Sequence, residues 1–509
     1  MKSKIEIMDT TLRDGEQTSG VSFSENEKVS VAKLLLESLK IDRIEVASAR
    51  VSEGEFKCVQ KITQWASDIK HLDKIEILGF VDGKCSIDWI VESGAKVLNL
   101  LSKGSFKHLK GQLRKTPEEH ISDIKYTLAY ADKKGIEVNI YLEDWSNGMI
   151  NSPDYVWFMI DNLKDTSIKR FMLPDTLGIL NNYQTHNYLI QCIEKYPNLH
   201  FDFHGHNDYD LAVSNVLAAV KAGVKGIHTT INGLGERAGN ASFASVVAVL
   251  NDHEACNLNI NEENINFVSH IVETYSGIRV PPNKPVTGES VFTQTSGVHA
   301  DGDNKDNLYY NNLLPERFGR KRMYALGKLS GKANIKKNLD ELGITLDDEL
   351  LKEVTQKVVL LGDKKEIITA EDLPYIVSDV LNTKEISQNI ILKDYNISSS
   401  SGLRPMASIQ LEINKEQYEG IAYGDGQYDA FMNAVKNIYK KIGKKIPELI
   451  DYNVSIPPGG KSDALVDAVI KWRYNGQNIK TRAISSDQTY AAMKATLKML
   501  NIMEMNYNK

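Results

Sequence analysis

Short apolar runs rich in β-branched residues recur along the first half of the chain and alternate with stretches of helical periodicity. Eight such runs are the expected strands: Ile5–Met8, Ile41–Ala47, Ile75–Val81, Val97–Leu101, Val138–Leu142, Ile168–Leu173, Phe201–His204 and Gly226–Ile231. Eight strands that alternate with helices within about 250 residues are typical of a (β/α)8 barrel. We therefore predict an α/β protein whose TIM barrel occupies residues 1–270.

The stretch after the first run shows the helical signals best. Ser24 and Glu27 have the spacing of a capping box. The apolar residues that follow share one helical face: Val29, Ala32, Leu35, Leu36 and Leu39. A helix is therefore predicted over Asn26–Leu39, and a similar pattern predicts another over Tyr209–Ala222.

Beyond the barrel the pattern changes twice. A proline-rich string at 281–285 interrupts regular structure, and the charged, mostly helical pattern that follows predicts linker subdomains over 271–385. From residue 386 to 509 the pattern is β-rich, and the string K-D-Y-N-I-S at 393–398 recurs as I-D-Y-N-V-S at 450–455. Each copy continues through a glycine turn and a strand into a helix, which predicts a duplicated α+β domain with a ligand site at the seam. A module that only dimerises is the alternative.

Composition limits the class of protein. The chain has 509 residues, 42% of them hydrophobic, and a net charge of −6, so several cores are expected and no general affinity for nucleic acid. Its four cysteines have no paired spacing, so neither a disulfide framework nor a thiolate metal site is indicated. No signal peptide or membrane span is expected, and the cytoplasm is the default location.

Two short strings fit the halves of one divalent-metal site. Asp14 follows the first predicted strand, and His204 and His206 end the seventh, where residues two apart share a face. Two imidazoles and a carboxylate make a mixed nitrogen and oxygen donor set with open positions for substrate. Polar strand ends without a metal are the alternative, but the C-terminal strand ends are where a barrel enzyme carries its chemistry.

The motifs together resemble those of the acyl-CoA-condensing barrel synthases, the family of the 2-isopropylmalate, homocitrate and citramalate synthases. The resembling strings are D-T-T-L-R-D-G-E-Q at 9–17, L-P-D-T-L-G at 173–178, H-G-H-N-D at 204–208, N-G-L-G-E-R-A-G-N at 232–240 and T-S-G-V-H-A-D-G at 295–302. Within the family, the strings at 78–83, 141–145 and 314–320 look most like those of (R)-citramalate synthases. The resemblance implies a metal-dependent acyltransferase, in a homodimer to which the linker subdomains contribute.

The resemblance also implies roles for particular residues. Asn240 would join the metal ligands, which suit Mn²⁺, Mg²⁺ or Zn²⁺ alike. Arg13 would stabilise the developing enolate of acetyl-CoA, and Glu143 would organise the ketoacid through Arg13; a salt bridge from Arg13 to Glu143 or Asp9 is the structural alternative. Further roles are implied for a threonine, a general base and a residue near the thioester: Thr176 as hydrogen-bond donor to the ketoacid, His299 as base and Tyr309 beside the thioester.

Three bulky positions near strand ends are expected to surround the ketoacid side chain: Leu78, Leu101 and Tyr141. They leave room for a methyl group, which favours pyruvate as substrate and citramalate as product. The R configuration of the product is implied by the resemblance alone. A 2-isopropylmalate synthase acting on 2-ketoisovalerate is the close alternative. An amino-acid sensor without turnover and an acyl-CoA lyase are further alternatives, disfavoured by the assembled motifs and by the duplicated tail.

The duplicated tail predicts regulation by an aliphatic amino acid. An aromatic and aliphatic wall with one carboxylate is expected at the seam: Tyr428, Asp429, Tyr452, Ile456 and Val466. Isoleucine, the end product of a citramalate route, is the predicted feedback effector. The basic run at 317–322 predicts either a contact for coenzyme A phosphates or a charged surface without such a role.

Overall fold

The computed structural model describes residues 4–254, 256, 258–342, 344–363, 368, 370–380, 389–455, 466–474 and 476–507. The chain divides into two compact units, one formed by residues 1–292 with 310–322 and the other by residues 293–309 with 323–509.

The first unit contains a closed barrel of eight parallel strands in sequence order, the last paired with the first. The strands are β1 (Glu6–Asp9), β2 (Arg43–Ser48), β3 (Ile75–Phe80), β4 (Val97–Lys103), β5 (Glu137–Glu143), β6 (Phe171–Asp175), β7 (Phe201–Gly205) and β8 (Gly226–Thr229). Helices cover the outside of the barrel, so both faces of each strand are buried and its sequence reads as a continuous apolar run. The predicted barrel is confirmed, with strand ends within three residues of those expected.

Helices connect successive strands and complete the barrel unit. They are α1 (Glu25–Lys33), α2 (Glu53–Asp68), α3 (Cys85–Glu92), α4 (Phe106–His108), α5 (Pro117–Lys134), α6 (Trp145–Asn151), α7 (Pro153–Leu163), α8 (Asn182–Lys195), α9 (Ala212–Ala222), α10 (Phe243–Val249) and α11 (Ile265–Ser276). The capping box of Ser24 and Glu27 is present at the start of α1. The helix predicted from Tyr209 begins three residues later, because Asn207 Oδ1 accepts a hydrogen bond from the Ala212 amide and holds the preceding residues in a turn.

The second unit begins with a small helical part. Its elements are β9 (Thr293–Gln294), α12 (Gly297–Asp306), β10 (Met323–Tyr324), α13 (Lys332–Glu341), α14 (Asp348–Asp363) and α15 (Leu373–Val380). The last three helices pack around their own apolar core, which includes Ile335, Val354 and Leu373. The helical pattern predicted for this part of the chain is therefore confirmed.

The tail of the second unit consists of two copies of one motif, each a three-stranded antiparallel sheet followed by a helix. The first copy comprises β11 (Ile390–Ser398), β12 (Met406–Ile413), β13 (Glu416–Tyr423) and α16 (Gln427–Lys441); the second comprises β14 (Glu448–Ser455), β15 (Val466–Tyr474), β16 (Gln477–Ser485) and α17 (Gln488–Tyr507). Both first strands carry a register shift at the equivalent position, between Leu392 and Asp394 and between Leu449 and Asp451. The duplication predicted from the sequence thus extends to the irregularities of the strands.

Among the described residues, no helix is long and apolar enough to cross a membrane.

Candidate active site

The C-terminal ends of the barrel strands bring three predicted metal ligands together. Asp14 lies in the loop after β1, His204 on β7 and His206 directly beyond it, and one ligand atom from each lies within 4.8 Å of the others. His204 Nε2 lies 3.2 Å from Asp14 Oδ2 and 3.4 Å from His206 Nε2. The cluster is buried, so its donor atoms face each other rather than solvent.

The electrostatics of this cluster suit a cation. Although burial raises the pKa of Asp14, Arg13 and His204 hold it well below its ordinary value, so Asp14 is ionised. Burial and, to a lesser extent, the neighbouring His204 together lower the pKa of His206 to about 4, so His206 is a neutral imidazole. An ionised carboxylate and a neutral imidazole are the protonation states that bind metals.

Unpartnered acceptors support the same interpretation. Asp14 Oδ1 and Asn240 Oδ1 are buried and have no hydrogen-bond partner in the part of the chain that the structure describes, which is costly unless something else is bound there. Asn240 forms a β-bridge with His206 and donates through Nδ2 to the Leu234 carbonyl, 3.1 Å away. These residues fit a divalent metal held by imidazole and oxygen donors.

Arg13 is held by carboxylates on the barrel side of the cluster. Its Nε donates to Glu45 Oε2 at 2.5 Å, and its Nη1 lies 3.2 Å from Asp14 Oδ2. Burial lowers the pKa of Arg13, but Glu45 and Asp14 outweigh this and keep the guanidinium charged. Glu45 lies in β2 and was missed by the sequence analysis, because its pairing with Arg13, in the loop after β1, is set only by the fold of the barrel.

Glu143 has a different partner from the one expected. It ends β5 beside Lys103 of β4, and the two side chains form an ion pair. Among the described residues, Arg13 pairs with Asp14 and Glu45 and makes no ion pair with Glu143 or Asp9, so the salt bridge considered as the structural alternative is not observed. The role of Glu143 in organising the ketoacid stays a prediction. The parallel register places Lys103 opposite Glu143, and Lys103 was also missed because its pairing depends on that register.

A pocket opens above the metal donors. Its lining includes Arg13, Asp14, Leu78, Leu101, Tyr141, Glu143, Thr176, His204 and His206. Leu78, Leu101 and Tyr141 pack with Met8 and Met172 in one small apolar cluster. The cavity volume of about 180 Å³ lies below the roughly 300 Å³ at which drug-sized ligand sites begin, so it suits a small ligand.

Thr176 lies in the loop after β6. Its hydroxyl accepts a hydrogen bond from the Asp144 amide at 2.9 Å. The hydroxyl proton remains available to an acceptor in the pocket, which is consistent with the expected role of Thr176 as a donor.

His299 and Tyr309 lie in the second unit. His299 is on α12, and its ring centroid lies 4.1 Å from that of Tyr309. His299 Nδ1 lies 3.1 Å from Gln294 Oε1. The two residues predicted as base and as thioester neighbour therefore contact each other.

Two of the predicted effector residues, Tyr428 and Tyr452, lie where the two copies of the tail meet. Tyr428, at the start of α16, places its ring centroid 4.8 Å from that of Tyr452 on β14. Asp429 Oδ2 accepts hydrogen bonds from the Asp425 amide and from Asn433 Nδ2, at 2.9 and 3.2 Å. Val466 begins β15, whereas Ile456 lies outside the described residues.

The basic run has structural partners in the first unit. Arg317 pairs with Glu262 and Asp252, and Arg320 donates to two backbone carbonyls. The predicted contact with coenzyme A phosphates therefore has no support from Arg317 and Arg320, whose guanidinium groups are already engaged.

Family models match nearly the whole chain. The HMGL-like model matches residues 4–272, a homocitrate synthase post-HMGL domain-like model matches 286–366, and the LeuA allosteric (dimerisation) domain model matches 367–504. Two proteins of Methanocaldococcus jannaschii are each 34% identical to this chain: its (R)-citramalate synthase CimA, over 98% of this chain and 99% of the relative, and its 2-isopropylmalate synthase, over 98% and 94%.

These matches define a condensing enzyme of the acyltransferase type, with a catalytic barrel and an allosteric dimerisation domain. The chain belongs to the HMGL-like family and, within it, to the group of citramalate and 2-isopropylmalate synthases.

Proposed function

We propose that the protein condenses acetyl-CoA with pyruvate and hydrolyses the thioester to give (R)-citramalate and coenzyme A. The observation that carries this proposal is the small cavity above the metal donors, walled by Leu78, Leu101 and Tyr141. The identities to the two archaeal relatives are equal, so they do not choose between pyruvate and 2-ketoisovalerate. The size of the cavity favours the methyl side chain.

The reaction balances with these reactants. A methyl C–H bond of acetyl-CoA breaks, and its electron pair forms the new bond to the ketone carbon of pyruvate. The ketone oxygen gains a proton and becomes a hydroxyl, and water cleaves the thioester to release coenzyme A as a thiol. Charge develops first on the thioester oxygen, which is where a fixed cation has its largest effect.

The proposed metal ligands are Asp14, His204, His206 and Asn240, with Mn²⁺, Mg²⁺ or Zn²⁺ as the cation. A cation bound there would polarise the ketone of the ketoacid toward attack. Arg13, kept charged by Glu45 and Asp14, is the proposed partner of the enolate oxygen. Glu143 and Thr176 line the same pocket and are proposed to orient the ketoacid.

His299 is proposed as the general base, with Tyr309 beside the thioester. Its contact with Gln294 leaves one ring nitrogen for a proton from the substrate. The resemblance implies that this segment acts in a partner subunit, and the match to a dimerisation domain supports a homodimer as the active form. Isoleucine is the proposed feedback effector at the seam between the two copies of the tail.

A panel of ketoacids tests the proposal. Thiol release from acetyl-CoA is measured with pyruvate, 2-ketobutyrate, 2-ketoisovalerate and 2-ketoglutarate, and without ketoacid as the control. We expect the highest kcat/KM with pyruvate, and one to two orders of magnitude less with 2-ketobutyrate, since one methylene changes discrimination by about 10–200-fold. A higher kcat/KM with 2-ketoisovalerate would establish the second candidate, a 2-isopropylmalate synthase; no release with any ketoacid would contradict both.

A further inference from the structure

Three rings meet beneath the pocket, and one of them belongs to a residue without a role so far. Tyr141 makes edge-to-face contacts with His204 and with His228 of β8, at centroid distances of 6.2 and 5.6 Å. His228 is only 1% exposed and also packs against the ring of His204, at 5.4 Å. Of these three residues, Tyr141 alone was proposed to line the wall around the ketoacid.

A chain of hydrogen bonds runs from Tyr141 into the barrel. The Tyr141 hydroxyl lies 3.2 Å from His228 Nδ1, and His228 Nε2 lies 3.2 Å from Asp202 Oδ2. Asp202 in turn accepts a hydrogen bond from Arg43 Nη2 at 2.6 Å. All four side chains are buried, so bulk water does not compete for these hydrogen bonds.

The partners at the lower end set the direction of each hydrogen bond. Asp202 pairs with an arginine and is an acceptor, so His228 Nε2 donates to it. The remaining nitrogen of a neutral imidazole, Nδ1, is an acceptor, and the Tyr141 hydroxyl donates to it. The one hydroxyl proton of Tyr141 is therefore committed below the pocket and is not offered to a ketoacid.

We propose that His228, oriented by Asp202, is a positioning residue that fixes the Tyr141 ring as a steric wall and thereby selects a small ketoacid. This inference rests on the proposed function, because it concerns the choice among 2-ketoacids. In this proposal Tyr141 acts sterically, through the position of its ring, and does not donate a hydrogen bond to the substrate. Asp202 is separated from the ketoacid wall by His228 and acts on selectivity only through it.

The test compares selectivity in three variants. The ratio of kcat/KM for pyruvate to that for 2-ketobutyrate is measured for His228→Phe, Tyr141→Phe and the double variant. We expect each single variant to lower this ratio by about tenfold. That change lies within the range of discrimination that a site achieves between substrates differing by one methylene. The double variant should equal the single ones, because both changes remove the same hydrogen bond. Thr63→Val is the control, since it removes a buried hydrogen bond to the Ser93 carbonyl elsewhere in the barrel unit.

Each outcome bears on one claim. If kcat falls equally for both ketoacids while the ratio stays within twofold of wild type, His228 has only a structural role and the inference is wrong. If His228→Phe does not fold, an unchanged ratio in Tyr141→Phe still overturns it. Wild-type protein that does not use pyruvate contradicts the proposed function instead, and that result is obtained before any variant is made.

Discussion

Asp14 is proposed to serve two tasks with one carboxylate. Its Oδ2 lies 3.2 Å from both Arg13 Nη1 and His204 Nε2, while its Oδ1 is buried without a hydrogen-bond partner among the described residues. Arg13, the proposed partner of the enolate, and the proposed metal donor set therefore share the Asp14 carboxylate. A change at Asp14 is expected to disturb both.

The first prediction concerns metal binding. Asp14→Asn and His206→Ala should each lose bound metal and lower kcat by more than about 100-fold, since even outer-shell changes at metal sites cost about 10–100-fold. Metal content is measured by elemental analysis of the purified protein, and folding by circular dichroism. His270→Ala, an exposed histidine on α11, is the control. Full metal content in both variants, or full activity after chelation, would show that these residues do not hold a required metal.

The second prediction concerns Lys103. Lys103→Met leaves the mostly buried Glu143 carboxylate without its partner, so the free energy of unfolding should fall by about 2 kcal/mol. This is less than the loss usual for breaking a fully buried ion pair, because Glu143 is partly exposed. Urea denaturation measures the change. Lys103→Arg keeps the charge and should recover most of the loss. Equal losses in the two variants would show that packing, rather than charge, is the contribution of Lys103.

The third prediction concerns pH. Burial raises the pKa of Asp9 to about 7 from 3.8, so between these values the folded protein holds a proton that the unfolded chain has lost. Stability from this group therefore falls as pH rises from about 4 to 7, by an amount on the order of 4 kcal/mol. Asp9→Asn, which stays neutral, should gain stability over wild type progressively across that window. A difference that does not change between pH 5 and pH 7.5 would contradict the raised pKa.

Sequence patterns predict some of these residues and not others. Asp14, His204 and His206 are found because short spacing within one loop and one strand end determines their positions. Glu45, Lys103 and His228 are not, because their partners lie on other strands and each pairing depends on the register of the closed barrel. The pairing of Glu143 with Lys103 was not predicted for the same reason.

At the scale of elements, three neighbouring strands supply the residues of the proposed ketoacid wall. Leu101 of β4 lies opposite Tyr141 of β5, and Leu78 comes from β3 on the other side. Periodicity predicts these strands because each is buried on both faces, and the alternation of side chains then places Leu101 inside the barrel and Leu100 outside. Helix starts are less predictable, as the turn capped by Asn207 before α9 shows.

The fourth prediction uses that alternation. Leu101→Ala enlarges the ketoacid wall and should lower the preference for pyruvate over 2-ketobutyrate by at least tenfold, consistent with one to two methylenes of space. Leu100→Ala removes the same atoms from the same strand on the opposite face, so it should cost stability but leave the preference unchanged. Relative kcat/KM values for the two ketoacids are the measurement. A shift of equal size in both variants would assign the effect to general loosening of the barrel.

At the scale of the whole molecule, the tail contains two copies of one motif, and side chains of each copy contact the other. The ring of Tyr428 on α16 faces Tyr452 on β14, and the ring of Tyr490 on α17 stacks on Tyr395 of β11 at 5.5 Å. The helix of each copy thus contacts the first strand of the other. Comparing the sequences of the two copies predicts the duplication but not this exchange of contacts. A helix that packs on its own copy and one that packs on the other copy would show the same sequence repeat.

The last prediction concerns the effector, which is proposed to bind at the contact of Tyr428 with Tyr452 and not at the equivalent contact of Tyr490 with Tyr395. Isoleucine should inhibit the full-length enzyme and leucine should do so far less, in an assay of thiol release. If isoleucine weakens acetyl-CoA binding by some factor, acetyl-CoA must weaken isoleucine binding by the same factor, which calorimetric titrations in both orders measure. Tyr452→Ala should weaken inhibition by isoleucine at least tenfold, whereas Tyr395→Ala, the equivalent change in the other copy, should weaken it less. Unequal factors in the two titrations would exclude simple linkage. Inhibition by leucine with no response to isoleucine would instead reverse the effector assignment and favour the 2-isopropylmalate synthase.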